Sequence, residues 1–136
     1  MEFSFVQKSE QQQNVFGWAY IAKNVEGKTI VDKQGDFIEP EELEKLAYKF
    51  VLKYRTSDEM HNETAVGEMI ESAMFSKEKL EKLGIADRVP EGWWVGFHIS
   101  DPEVWASVNK GEYSMFSIGG TASSTTVDIP ETEIAA

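Results

Sequence analysis

The chain has 136 residues and a formal net charge of -11, from 24 acidic against 13 basic side chains. That length carries one domain with a real core, and 41% hydrophobic with 12% aromatic residues describes a packed body and not a disordered segment. The acidic balance argues against direct nucleic-acid binding, which needs clustered Lys and Arg, and the absence of cysteine removes disulfides, thiolate metal sites and a thiol nucleophile.

In chain order, Glu2 to Lys8 alternates weakly, and Val15 to Ala22 reads as a β-branched and aromatic strand with Gly17 marking a bulge. These two pair across the polar turn that contains Gln11-Gln12-Gln13. Asn24 to Lys28 is a turn centred on Gly27. Thr29 to Asp32 is a short extended piece leading into Lys33-Gln34-Gly35-Asp36, where the carboxylates of Asp32 and Asp36 are expected to hydrogen-bond the turn itself.

From Pro40 to about Tyr54 the period is helical, with Leu43, Leu46, Ala47, Phe50, Val51 and Tyr54 on one face. Glu39, Glu41 and Glu42 at its start, and Lys53 and Arg55 at its end, complement the macrodipole. Ala65 to Phe75 reads as a strand whose period of two places Glu68 and Glu71 on opposite faces. Lys77 to Leu83 is a short helix ended by Gly84. An aromatic strand runs from Trp93 to Ile99, and Pro102 to Lys110 is a second short helix burying Val104, Trp105 and Val108 before Gly111. Tyr113 onward is a strand ending at Ser117. Residues 1–120 therefore form one α+β domain, mostly an antiparallel sheet or β-barrel flanked by helices, and residues 121–136 read as a Ser/Thr-rich acidic tail or severed linker.

Ser117 is the candidate nucleophile, because Gly119 and Gly120 follow it. Glycines there let the backbone approach a substrate carbonyl and aim amide N–H groups at a developing oxyanion. A hydroxyl nucleophile at neutral pH needs a base, and the chain offers only His61 and His98. His61 lies in a polar stretch between helix and strand, where functional groups are carried on a rigid frame. Alternation places His98 beside Gly96 and Trp94 in a strand, a structural position. Two distant histidines make a catalytic zinc site a poor fit. No run of about 18 apolar residues is present for a membrane span, and the amino terminus lacks the pattern of a signal peptide, so the chain reads as a soluble, untargeted protein; the lack of cysteine permits an intracellular setting.

Across nearly the whole length to Gly120, the ordered set Val15-Phe16-Gly17-Trp18-Ala19, Gln34-Gly35-Asp36, Met60-His61, Glu71-Ser72, Gly92-Trp93-Trp94-Val95, Trp105 and Phe116-Ser117-Ile118-Gly119-Gly120 resembles the XkdF-like branch of tailed-phage prohead proteases. The resemblance implies a herpesvirus-protease-like fold and a serine endopeptidase that cleaves scaffold and capsid precursors inside the immature shell, in the bacterial host cytoplasm. It places the nucleophile at Ser117 and the base at His61, with Glu71 the first choice for the third catalytic residue, followed by Asp36 and His98. It implies no cofactor, metal, membrane or nucleic-acid partner. Such proteases commonly continue into a further strand bearing an acidic residue, and nothing like it follows Gly120; an incomplete barrel would leave an open edge suited to self-association. The rival from another class is a noncatalytic capsid-assembly or scaffold-binding module. A third is an unrelated small acidic binding domain.

Overall fold

The computed structural model describes residues 2–4, 7–9, 11–56, 67–111, 115–117 and 122–123. Its centre is a four-stranded antiparallel sheet in the order β2-β3-β5-β4, with β2 at Gln7–Ser9, β3 at Asn14–Lys23, β4 at Glu68–Phe75 and β5 at Glu91–His98. A second sheet joins β1 (Glu2–Ser4), β6 (Met115–Ser117) and β7 (Ala122–Ser123) in the order β1-β6-β7. Only Phe5 and Val6 separate β1 from β2, so one short stretch of chain serves both sheets. Among the described residues the sheets do not close into a barrel: β4 pairs with β5 alone, and β7 with β6 alone.

The middle strands owe their shape to alternation. In β5, Trp93, Val95 and Phe97 point to one side and are almost wholly buried, whereas Trp94 and His98 point to the other and are only half-buried. Helix α1 (Pro40–Thr56) covers the first side. Leu43 and Ala47 are buried there, and Phe50 meets the Trp93 ring edge-on at 5.5 Å. The expected helical face is right except at Leu46, which is 41% exposed. Helix α3 (Pro102–Asn109) completes the same layer by packing Trp105 and Val108 into the cluster that contains Val15, Phe97 and Ile99.

Local chemistry fixes the ends of the helices. The Asp101 carboxylate accepts from the N–H groups of Glu103 and Val104, and Pro102 fills the first turn, where a missing donor costs nothing. Helix α2 (Lys77–Leu83) starts at Ser76, whose hydroxyl accepts from the Lys79 N–H, and stops at Gly84 in the left-handed conformation.

Three irregularities matter for the faces. Gly17 pairs regularly with Val95, and β3 instead shifts register around Ala19 and again around Ala22. In β4 the shift falls between Met69, opposite Phe97, and Glu71, opposite Gly96, so Ile70 is the extra residue. This overturns the expected opposition of Glu68 and Glu71. The bulge restores the phase, and both carboxylates lie on the half-buried side, Glu68 opposite His98 and Glu71 opposite Gly96.

Candidate active site and the two faces of the sheet

Ser117 is the last residue of β6 and stands opposite Glu2 of β1. His61 lies outside the described residues, as do Ile118, Gly119 and Gly120. The described structure therefore positions the backbone of the expected nucleophile at a strand end.

Glu71 is exposed on β4, and its Oε1 accepts a hydrogen bond of 2.8 Å from the Trp94 indole. Trp94 faces Ala73 directly, so the bond to Glu71 is a diagonal reach across the strand pair. One face over, the Trp93 indole makes the same diagonal reach from opposite Met74 to the hydroxyl of Ser72, at 2.9 Å. Two consecutive tryptophans thus anchor to two consecutive β4 residues on opposite sides of the sheet.

The half-buried face is aromatic. Trp18 stands edge-on to Trp94 at 5.2 Å and to Phe75 at 5.9 Å. Glycines in β5 let rings lie flat on the sheet: a Cβ on Gly96 would come within 2.7 Å of the Phe16 ring, and one on Gly92 within 3.2 Å of the Trp18 ring and 2.6 Å of the Tyr20 carbonyl oxygen. At the end of this face, His98 Nδ1 and Asn14 Oδ1 share a hydrogen bond of 2.9 Å, with Glu68 opposite His98 on the other flank. His98 thus sits in a cross-strand row, on the face shared with Gly96 and Trp94 that alternation implied.

Asp32 is engaged in its turn. Its Oδ1 accepts from the N–H groups of Gln34 and Asp36 at 2.9 and 2.8 Å, while its own N–H donates to the Asp36 carbonyl. Nearby, the Tyr20 hydroxyl accepts from the Ile38 N–H at 3.1 Å. Burial holds this phenol above its usual range, the Ile38 bond pulls the other way, and the charges of Asp32 and Asp36 add to the rise.

The free edge of β4 is partly blocked. Tyr54 accepts from the Met69 N–H at 2.9 Å, and Lys79 Nζ donates to the Met74 carbonyl at 3.1 Å and to the Tyr48 hydroxyl at 2.9 Å. A hollow of about 210 Å³ between the Asn24–Gly27 turn and α2 is lined by Glu26, Lys77, Glu81 and Glu91, and by none of the expected site residues. Among the described residues no group of three or more His, Cys, Asp or Glu could hold a metal ion, and no helix is long and apolar enough to cross a membrane.

With this geometry in place, the comparison with known families is informative over almost the whole chain. The family described as "Putative phage serine protease XkdF" matches residues 2–126. The chain belongs to this XkdF family. Its matched stretch contains Ser117, His61 and Glu71. A Bacillus subtilis (strain 168) protein named "Phage-like element PBSX protein XkdF" is 32% identical over 118 residues, covering 85% of this chain and 40% of its own length. Another from the same organism, "Uncharacterized protein YqbD", is 33% identical over 116 residues, covering 85% of this chain and 33% of its own length. The chain thus spans a third to two fifths of these relatives. No solved structure matches it.

Sequence reasoning missed the Trp94–Glu71 pair and the shared face of Glu68 and Glu71. The doublet Trp93-Trp94 was a usable signal, since consecutive strand residues must serve opposite faces. The bulge at Ile70 had no such signal.

Proposed function

We propose that this chain is a serine endopeptidase domain that cleaves scaffold and capsid precursors during phage prohead maturation, in the host cytoplasm, on a herpesvirus-protease-like frame. The observation that carries this reading is the XkdF family match over residues 2–126, which takes in the strand-end serine and its two glycines. In the proposed reaction His61 takes the proton from the Ser117 hydroxyl, and the oxygen attacks the scissile carbonyl. The tetrahedral oxyanion meets backbone N–H groups near Gly119 and Gly120. It then collapses to an acyl-enzyme as His61 protonates the leaving amine, and water activated by His61 releases the acyl group. Acyl transfer of this kind requires neither metal nor nucleotide.

Glu71, the first choice for the third catalytic residue, is held at one oxygen by the Trp94 indole, which leaves its other oxygen able to accept from a second donor. The test is cleavage of the cognate scaffold or capsid precursor by the unmodified chain, by Ser117→Ala and by His61→Ala. Turnover by the first and its loss in both variants supports the reading. If purified, folded chain leaves every precursor intact, the noncatalytic assembly module becomes the better account.

A further inference from the structure

We propose that the half-buried face of the sheet recognises an arginine side chain of an extended peptide, with the Trp94 indole as its stacking partner and the Glu71 carboxylate as its counter-ion. This rests on the peptidase reading in one respect: the peptide is taken to be the substrate or its flanking segment.

The unit has the chemistry of a cation site. The Trp94 N–H holds Glu71 Oε1 at 2.8 Å, which fixes a carboxylate beside an indole ring. An ionised carboxylate accepts at both oxygens, and neither Glu71 nor Glu68 meets a cation among the described residues. The bulge at Ile70 sets Glu68 on the same side, opposite His98, so two negative charges flank one aromatic surface. Trp18 and Phe16, lying over the glycines of β5, extend that surface as a floor for apolar atoms.

A guanidinium is planar, stacks on indole and donates to a carboxylate through a fixed fork, so it satisfies ring and acid together; a lysine ammonium meets one of the two well. The excess of acidic residues over the whole chain also draws a basic segment toward it. A second copy of this chain is a weaker occupant, since its two arginines are Arg55 and Arg88, and Arg88 is already engaged with Asp87 and the Gly84 carbonyl.

The test uses the full chain carrying Ser117→Ala, so that binding is read without turnover. A short blocked alanine–serine peptide with one central arginine is titrated against the same peptide with citrulline or lysine at that position, following tryptophan fluorescence and peptide anisotropy. The arginine peptide is expected to bind roughly tenfold more tightly than its citrulline counterpart, with the preference falling at high salt. Glu71→Gln is expected to abolish the preference without moving the thermal midpoint, and Trp94→Phe to reduce it.

Equal affinity for arginine and citrulline peptides would overturn the proposal, as would an unchanged preference in a folded Glu71→Gln chain. A monomer–dimer equilibrium that weakens in Glu71→Gln, with no arginine preference, would assign the face to a second copy instead. Arginine-selective binding by a chain that, unmodified and folded, leaves every scaffold and capsid precursor intact would remove the peptidase reading and leave this one standing. Cleavage without arginine preference would do the reverse.

Discussion

Trp93 and Trp94 are neighbours in one strand, use the same diagonal bond to β4, and end in different worlds. Trp93 is 1% exposed, packed on Phe50 of α1 and bonded to the Ser72 hydroxyl. Trp94 is half-buried, edge-on to Trp18, and bonded to a carboxylate that reaches solvent. The first side of the sheet holds the fold together, and the second offers polarised, partly accessible groups. The same residue type therefore carries stability on one side and is available for recognition on the other.

The largest expected contrast is between the tryptophans themselves. Trp93→Ala should lose about 3 to 5 kcal/mol in urea unfolding, as buried aromatic truncations do, whereas Trp94→Ala should lose less than half as much. Equal losses would mean that the second face is core as well.

The two glycines of β5 sharpen the comparison. Gly92→Ala forces a Cβ against the Tyr20 carbonyl, part of the neighbouring strand's backbone, and should cost about 2 to 3 kcal/mol. Gly96→Ala meets the Phe16 ring, which can swing away, and should cost about 1 kcal/mol. Reversal of that order in thermal melts would contradict the flat placement of the Phe16 ring.

A smaller contrast separates the two acceptors. Ser72→Ala leaves the buried Trp93 N–H without its partner and should cost about 1 kcal/mol, while Glu71→Gln at an exposed site should stay within about 0.5 kcal/mol.

The smallest effect is alkaline. Because the Tyr20 pKa is raised on folding, its contribution is fully present below the unfolded value of about 10 and is lost as pH rises through the folded value. Tyr20→Phe should flatten that part of the stability curve above pH ~10 relative to the unmodified chain. An unchanged alkaline slope would place the titration elsewhere.

Much of the frame was legible because it depends on local chemistry. The helix beginning at Pro40, the Gly84 end of α2, the Pro102 start of α3 and the aromatic strand all follow from residues within a few positions of one another. What was not legible depends on a partner strand. The bulge at Ile70 arises where β4 meets β5, and the sequence Met69-Ile70-Glu71 carries no glycine or proline to announce it. For the same reason Leu46, apolar and in phase, nevertheless points outward, since α1 meets the sheet over a narrower stripe than its period allows. The candidate site rests on chemistry alone, in a serine before two glycines and one histidine in a polar stretch. Its geometry was not legible, because Ser117 and His61 are far apart in sequence and only tertiary structure can join them.

The central claim is that Ser117 is a nucleophile activated by His61. The most direct measurement is labelling of the purified chain with a serine-reactive fluorophosphonate, followed by peptide mapping. The account requires a single modification on Ser117 that disappears in Ser117→Ala and falls sharply in a folded His61→Ala chain. Labelling of another residue, or none in a folded chain under conditions that label a known serine peptidase, would contradict it.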